Sequence, residues 1–290
     1  MKKFNKIAII GVGLIGGSVG LAIKKRKLAR RVIGVFRRRS TLDRALRRRA
    51  IDAGFMNIAQ GVKDADLIII GSPVHSIPEL ACEAAAFAKE GAIITDVGST
   101  KGWIVAKMDK LLNGTSVRFV GSHPMAGSEK AGVEFAKGGL LEGSPCIVTR
   151  TRKTDRRALV KVSGFWKALG AKVKVMSPSE HDRTVSLISH LPHIVAFSLA
   201  GAVPEETLDC AAEGFKDTTR VASSDPELWS DIFLTNKSEI LKAARLFKRY
   251  YGDIVAAIAN GDRRRTVKAL TNAKRKRDAF LRETHGNKKD

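Results

Sequence analysis

The segment Gly121-Ser122-His123-Pro124-Met125-Ala126-Gly127-Ser128-Glu129 places one histidine between glycine and proline just after a β-branched run. An imidazole titrates near neutral pH and can take a proton from a hydroxyl; at the carboxyl end of a strand it is better placed for that work than inside an element. A second polar group lies at helical spacing. Asp182, Ser186, Ser189 and His193 form one stripe on a segment whose other faces carry Val185, Ile188, Leu191 and Val195. The stripe reads either as a wet face or as a functional one. It lacks the Lys and Glu that normally occupy a wet face, and Pro192, costly inside a helix, stands beside His193. Farther on, Arg220 is a candidate for holding a carboxylate through paired hydrogen bonds. It precedes Ser223-Ser224-Asp225-Pro226-Glu227-Leu228-Trp229, which reads as an N-cap and a helix start.

Near the amino terminus, Gly11-Val12-Gly13-Leu14-Ile15-Gly16 follows an apolar β-branched run and precedes a helical pattern expected over residues 18–25, with a second strand closing the unit. In that setting Gly11 permits a tight turn, Gly13 lets backbone approach a pyrophosphate, and Gly16 lets helix and strand pack closely. The unpaired N–H groups of the helix start would then face the phosphates. The plain alternative is a glycine turn without a ligand. A site for NAD ordinarily ends its second strand with an acid that binds the ribose hydroxyls. Here that place holds Phe36, followed by Arg37, Arg38, Arg39 and Ser40. Guanidinium forks and hydroxyl donors suit a 2′-phosphate, which argues for NADP, with NAD as the alternative. Ser72 and Pro73, and then Asp96 to Lys101 with Ser99 among them, fall at carboxyl ends of further strands, where ligands of open α/β sheets bind; Asp96 and Ser99 also read as a local helix cap.

The elements that must position these groups change character part-way along the chain. Strand-like runs at 6–10, 32–36, 66–70, 92–95, 117–120, 146–149 and 172–175 alternate with helical patterns, the grammar of βαβ units and a mostly parallel sheet. Past residue 176 the strands stop, and apolar residues recur at helical spacing over 179–202, 226–259 and 262–281. The expected architecture is an α/β Rossmann-type parallel sheet domain over residues 1–177 followed by an all-α domain over 178–290.

Composition narrows the remaining classes. The 290 residues are 44% hydrophobic and 28% charged, which excludes a disordered or collagen-like chain. No apolar run is read as reaching the roughly 20 residues of a membrane span, and no apolar leader precedes the first strand, so the expected address is the cytoplasm with no membrane partner. Cys82, Cys146 and Cys210 are scattered and lack metal-ligand spacing, so neither a disulfide framework nor a metal site is expected. The formal charge of +23 is the abnormal quantity. It would attract polyanions, yet the basic clusters are dispersed and carry no interleaved aromatic residues, which argues against a nucleic-acid surface.

Taken in order, the glycine turn, Asp96 to Gly102, Gly121 to Glu129, Ser189-His190-Leu191-Pro192-His193 and Gly214 to Trp229 resemble the prephenate dehydrogenase family, which includes arogenate and cyclohexadienyl dehydrogenases of tyrosine biosynthesis. The resemblance implies a Rossmann domain, a helical domain that dimerises, a substrate cleft between them, and oxidative decarboxylation of prephenate, or alternatively of arogenate, with hydride transfer to NAD(P)+. By motif it makes His123 the catalytic base and Ser99 its hydrogen-bonding partner. It puts Ser128, Glu129, Asp182, Ser189, His193, Lys216, Arg220 and Trp229 at the substrate, with Arg220 as carboxylate binder. It puts Gly11, Gly13, Leu14, Ile15, Gly16, Arg37, Arg38, Ser40, Ser72 and Pro73 at the cofactor. No fused mutase activity is expected. The rival readings are a β-hydroxyacid dehydrogenase, which would need a lysine on the first long helix after the sheet domain, and a dinucleotide-sensing nucleic-acid-binding protein.

Overall fold

A computed structural model describes residues 3–128 and 130–285; the expectation for Glu129 lies outside the described residues. The strands β1 (Phe4–Ile10), β2 (Ala29–Val35), β3 (Ala53–Phe55), β4 (Leu67–Ile70), β5 (Ile93–Asp96) and β6 (Arg118–Val120) form a parallel sheet in the order β3-β2-β1-β4-β5-β6. Helices α1 (Leu14–Lys25), α2 (Arg39–Arg47), α3 (Ile58–Val62), α4 (Ile77–Phe87) and α5 (Gly102–Leu111) link these strands. The alternation within β1 explains the layering. Ile7 and Ile9 enter one apolar core with Val19, Ile23, Phe165 and Trp166. Ala8 and Ile10 enter another with Ile68, Ile70, Ile77 and Ile104. Both sheet faces are thus covered, and a strand such as β4 can be uniformly apolar.

The remaining strands do not extend that sheet. β7 (Ser122–Pro124), β8 (Pro145–Thr149) and β9 (Lys172–Met176) make a separate sheet in the order β7-β8-β9, with β7 antiparallel to β8 and β8 parallel to β9. Helix α6 (Arg156–Ala168) connects β8 to β9. The sequence pattern anticipated neither β3 nor β7, each a three-residue strand too short to show a period.

The change to helices comes directly after β9, with α7 (Pro178–Val185), a π-helical turn (Ser186–His190), α8 (Leu191–Ala202), α9 (Glu213–Thr219), α10 (Pro226–Thr235), α11 (Lys237–Ala259) and α12 (Arg263–His285). Two compact units result, residues 1–240 and residues 241–290. The first unit extends past residue 177 because α10 buries Trp229 and Ile232 in the core beneath β4 and β5. In the second unit the helices leave Phe247, Tyr250, Tyr251, Val255, Ile258, Leu270 and Phe280 exposed.

One expectation is corrected here. The continuous helix Pro178–Ala202 is, by length and composition alone, apolar enough to cross a membrane, with a mean hydropathy of 1.5. Its charged residues crowd the first turns, so the remainder reads as one apolar run. In this fold it buries His181, Asp182, Val185, Ser186, His190 and Ala196 and exposes Leu187, Ile188 and Leu199.

Candidate active site

The glycine turn is built as its spacing demands. Gly11 has φ +87°, and a Cβ there would lie 2.6 Å from the Gly71 carbonyl oxygen. A Cβ on Gly16 would lie 2.3 Å from the Gly11 carbonyl oxygen, so helix and turn touch backbone to backbone. Gly13 is different: a Cβ there would meet nothing within 4 Å, because the residue faces an open cleft. Helix α1 starts at Leu14, four residues before the expected start, with no side-chain cap and no acid in its first turn. Its amino-terminal N–H groups are therefore available to an anion. Across the turn the Ser72 hydroxyl is buried without a hydrogen-bond partner. An open glycine, an uncapped helix start and an orphaned hydroxyl fit a dinucleotide pyrophosphate.

The cleft, of about 590 Å³, is lined by Gly13, Leu14, Ile15, Ser72, Pro73, Ser99, His123, Ser128, Ser189, His193, Arg220 and Trp229. Residues as far apart in sequence as the glycine turn and α10 thus share one cavity within the first unit. His123 sits on β7, opposite Ile147 of β8. Burial holds its imidazole well below the usual histidine range, and His181, Lys101 and His190 push it the same way. It is therefore neutral at pH 7 and competent to accept a proton. Its Nδ1 lies 2.9 Å from Nε2 of His181.

His193 is fixed from two sides. Its Nδ1–H donates to the Ser189 carbonyl oxygen at 2.8 Å, and its ring stacks on Trp229 with centroids 3.4 Å apart. Burial and the positive charge of Arg220 both lower its affinity for a proton. Arg220, on the turn after α9, is exposed to the cleft.

Several expected site residues lie elsewhere. Asp182 is buried behind the cleft, where its two oxygens accept the backbone N–H groups of Lys101 and Gly102, each at 2.8 Å. The π-helical turn explains the displacement: it inserts a residue into the helical register, so Asp182 and Ser186 no longer share a face with Ser189 and His193. Asp182 caps α5 in place of the local cap expected from Asp96 and Ser99. The Asp96 carboxylate instead binds the N–H groups of Gly98 and Ser122 and the buried ammonium of Lys101. Burial lowers the Lys101 pKa, and Asp96 opposes that shift. Ser99 lines the cleft, but the side-chain hydrogen bond of the His123 ring is shared with His181. Lys216 is exposed and pairs with Glu213 at 2.9 Å. Gly11 and Gly16 lie behind the turn, while Arg37, Arg38 and Ser40 are exposed beyond β2 and outside the cleft lining. Phe36 is buried, with its ring close to Gly34 and Gly54. The residues missed from sequence are His181, Lys101 and Asn236. No motif flags His181 or Asn236, whose partners lie 58 and 54 positions away, while Lys101 stood inside the Asp96 to Gly102 segment without its burial or its pairing with Asp96 being signalled there.

Residues 19–175 match the nucleotide-binding domain of prephenate dehydrogenase, and residues 177–272 match its dimerization domain. The chain belongs to the prephenate dehydrogenase family. Prephenate dehydrogenase of Bacillus subtilis is 43% identical over 82% of this chain, which covers 66% of that protein's length. Cyclohexadienyl dehydrogenase of Zymomonas mobilis is 33% identical over 90% of this chain and 91% of its own. The crystal structure of prephenate dehydrogenase from A. aeolicus, in complex with hydroxyphenyl propionate and NAD+, superposes with a TM-score of 0.88 at 34% identity, covering 96% of this chain and 99% of that one. The family is one of oxidoreductases using a nicotinamide dinucleotide in the oxidative decarboxylation of prephenate for tyrosine synthesis.

Proposed function

We propose that this prephenate dehydrogenase family member oxidises prephenate to 4-hydroxyphenylpyruvate and CO2 with NADP as the preferred cofactor, as a cytoplasmic homodimer. The observation that carries the reading is the single cleft holding both the glycine turn and the His123, His193 and Arg220 groups. Gly13, Leu14, Ile15, Ser72 and Pro73 would hold the dinucleotide, which when bound supplies the hydride acceptor. Neutral His123 takes the proton of the C4 hydroxyl as the carbinol hydrogen leaves as hydride. The ring carboxylate then departs as CO2, its bonding electrons aromatise the ring, and His123 returns the proton to the phenolic oxygen. Aromatisation drives the reaction, so the protein's work is orientation and charge neutralisation. Arg220 binds a substrate carboxylate, and Ser189, His193 and Trp229 shape the wall against which the ring lies.

Preference for NADP is supported by Phe36 in the place of the usual acid and by Arg37 and Arg38, which are exposed. Arg39 is engaged with Asp43, whereas no ion pair among the described residues occupies the other two. Dimerisation is supported by the exposed apolar residues of α11 and α12 and of the helix Pro178–Ala202, which a partner copy would bury. The scattered basic side chains favour a dianionic substrate and leave nucleic acid outside the reading. The deciding assay follows reduced-cofactor formation with prephenate and arogenate, each crossed with NADP and NAD. Fastest turnover of prephenate with NADP is expected. Faster turnover of arogenate would reassign the substrate, and no turnover of either would overturn the reading.

A further inference from the structure

Behind His123 lies a run of buried polar groups for which substrate and cofactor contacts give no use. His181 Nε2 faces His123 Nδ1 at 2.9 Å, and His181 Nδ1 faces Asp182 Oδ1 at 2.7 Å. The carboxylate at the end of the run is itself held by the N–H groups of Lys101 and Gly102. Three distant pieces of chain meet here: β7, the first turn of α7, and the start of α5. Proton counting then constrains the arrangement. A carboxylate only accepts, so His181 Nδ1 carries the hydrogen. Burial keeps His181 neutral against the pull of Asp182, so its Nε2 is a bare acceptor. The hydrogen between the two rings therefore belongs to His123 Nδ1, and His123 Nε2, which has no protein partner among the described residues, is left with its lone pair.

We infer that His181, anchored by Asp182, is a positioning residue that fixes His123 in the Nδ1–H tautomer and so presents Nε2 as the base. This rests on the proposed role of His123. The principle is that of a carboxylate holding a catalytic imidazole in its working tautomer, with a second imidazole interposed. The groups facing the two rings, namely Lys101, Asp96, Asp182, His190 and Cys146, are set by the fold around them and offer no other buried acceptor to His123 Nδ1. A free imidazole favours the opposite tautomer, so the arrangement makes a specific spectroscopic demand.

The test uses the full chain labelled with 15N-histidine. Long-range proton–nitrogen correlation should find His123 protonated on Nδ1 in the native protein and shifted toward Nε2 in His181→Leu. With prephenate and the preferred cofactor, His181→Leu should lower kcat by about 10- to 100-fold with KM within about threefold. His181→Gln, whose amide oxygen can accept from His123 Nδ1, should recover most of that loss. In a His123→Asn background, His181→Leu should cost nothing further, because it acts only through His123. Native His123 protonated on Nε2, an undiminished kcat in His181→Leu, or an equal further loss in the His123→Asn background would each overturn the inference. A nearly normal His123→Asn single variant would instead overturn the base assignment itself, so the two failures are distinguishable.

Discussion

The glycine-turn wall of the cleft is made of backbone, whereas the histidine wall is made of side chains supported by other side chains. On the first wall, function requires that atoms be missing: a Cβ at Gly16 would strike the Gly11 carbonyl oxygen at 2.3 Å, and the space over Gly13 is open. On the second, function requires that atoms be present and oriented, and the orientation comes from groups that never reach the cleft, His181 and Asp182. The first kind of site is local in sequence and fails when something is added. The second is assembled from distant segments and fails when a support is removed.

The sharpest way to separate the two walls is to add atoms to the first. Gly13→Val should fold normally and lose cofactor affinity by about 100-fold or more, since the side chain occupies the phosphate approach. Gly16→Val should instead depress the thermal midpoint through backbone collision. Cofactor titration and a melting curve distinguish the two. Removing a charge from the opposite wall should act on substrate alone: Arg220→Ala is expected to raise KM for prephenate by about 10- to 100-fold and change kcat less, as loss of a charge-assisted carboxylate contact does. At the adenosine end, replacing Arg37 and Arg38 by alanine should reduce the preference for NADP over NAD by about tenfold, read as the ratio of kcat/KM values.

A separate effect is on stability. His123, His181 and His190 are held neutral by burial, with His190 lowered to about 4. Below pH about 6.5 the unfolded chain takes up protons that the folded chain refuses, so each such histidine should cost about 1.4 kcal/mol per pH unit until its own folded pKa is reached. Unfolding free energy should accordingly be greatest above pH 6.5 and fall toward pH 4. A flat profile over that range would mean the histidines are charged in the native state.

The same contrast explains how much was legible in the sequence. The glycine turn declared itself because its residues are contiguous and each has a steric reason. His123 declared itself through its flanking Gly and Pro, and the parallel sheet through its alternating runs. Helix α1 began earlier than expected because the glycines that weaken a helix are the ones its close packing needs. Periodicity placed Asp182 in one stripe with Ser189 and His193, and the family resemblance placed it at the substrate; the π-helical turn at Ser186–His190 breaks the regular helix that the stripe assumes, and Asp182 instead accepts from the backbone of Lys101 and Gly102. His181 went unnoticed because a buried histidine acquires meaning only from its partners, 58 residues away on one side and adjacent on the other.

The most direct measurement is steady-state turnover by a His123→Asn variant with prephenate and the preferred cofactor. The account predicts a fall in kcat of about 10²-fold or more with KM for both ligands nearly unchanged, the signature of a lost proton acceptor. Turnover within a few-fold of the native protein would contradict it and would shift the base to another group of the cleft, of which His193 is the other imidazole.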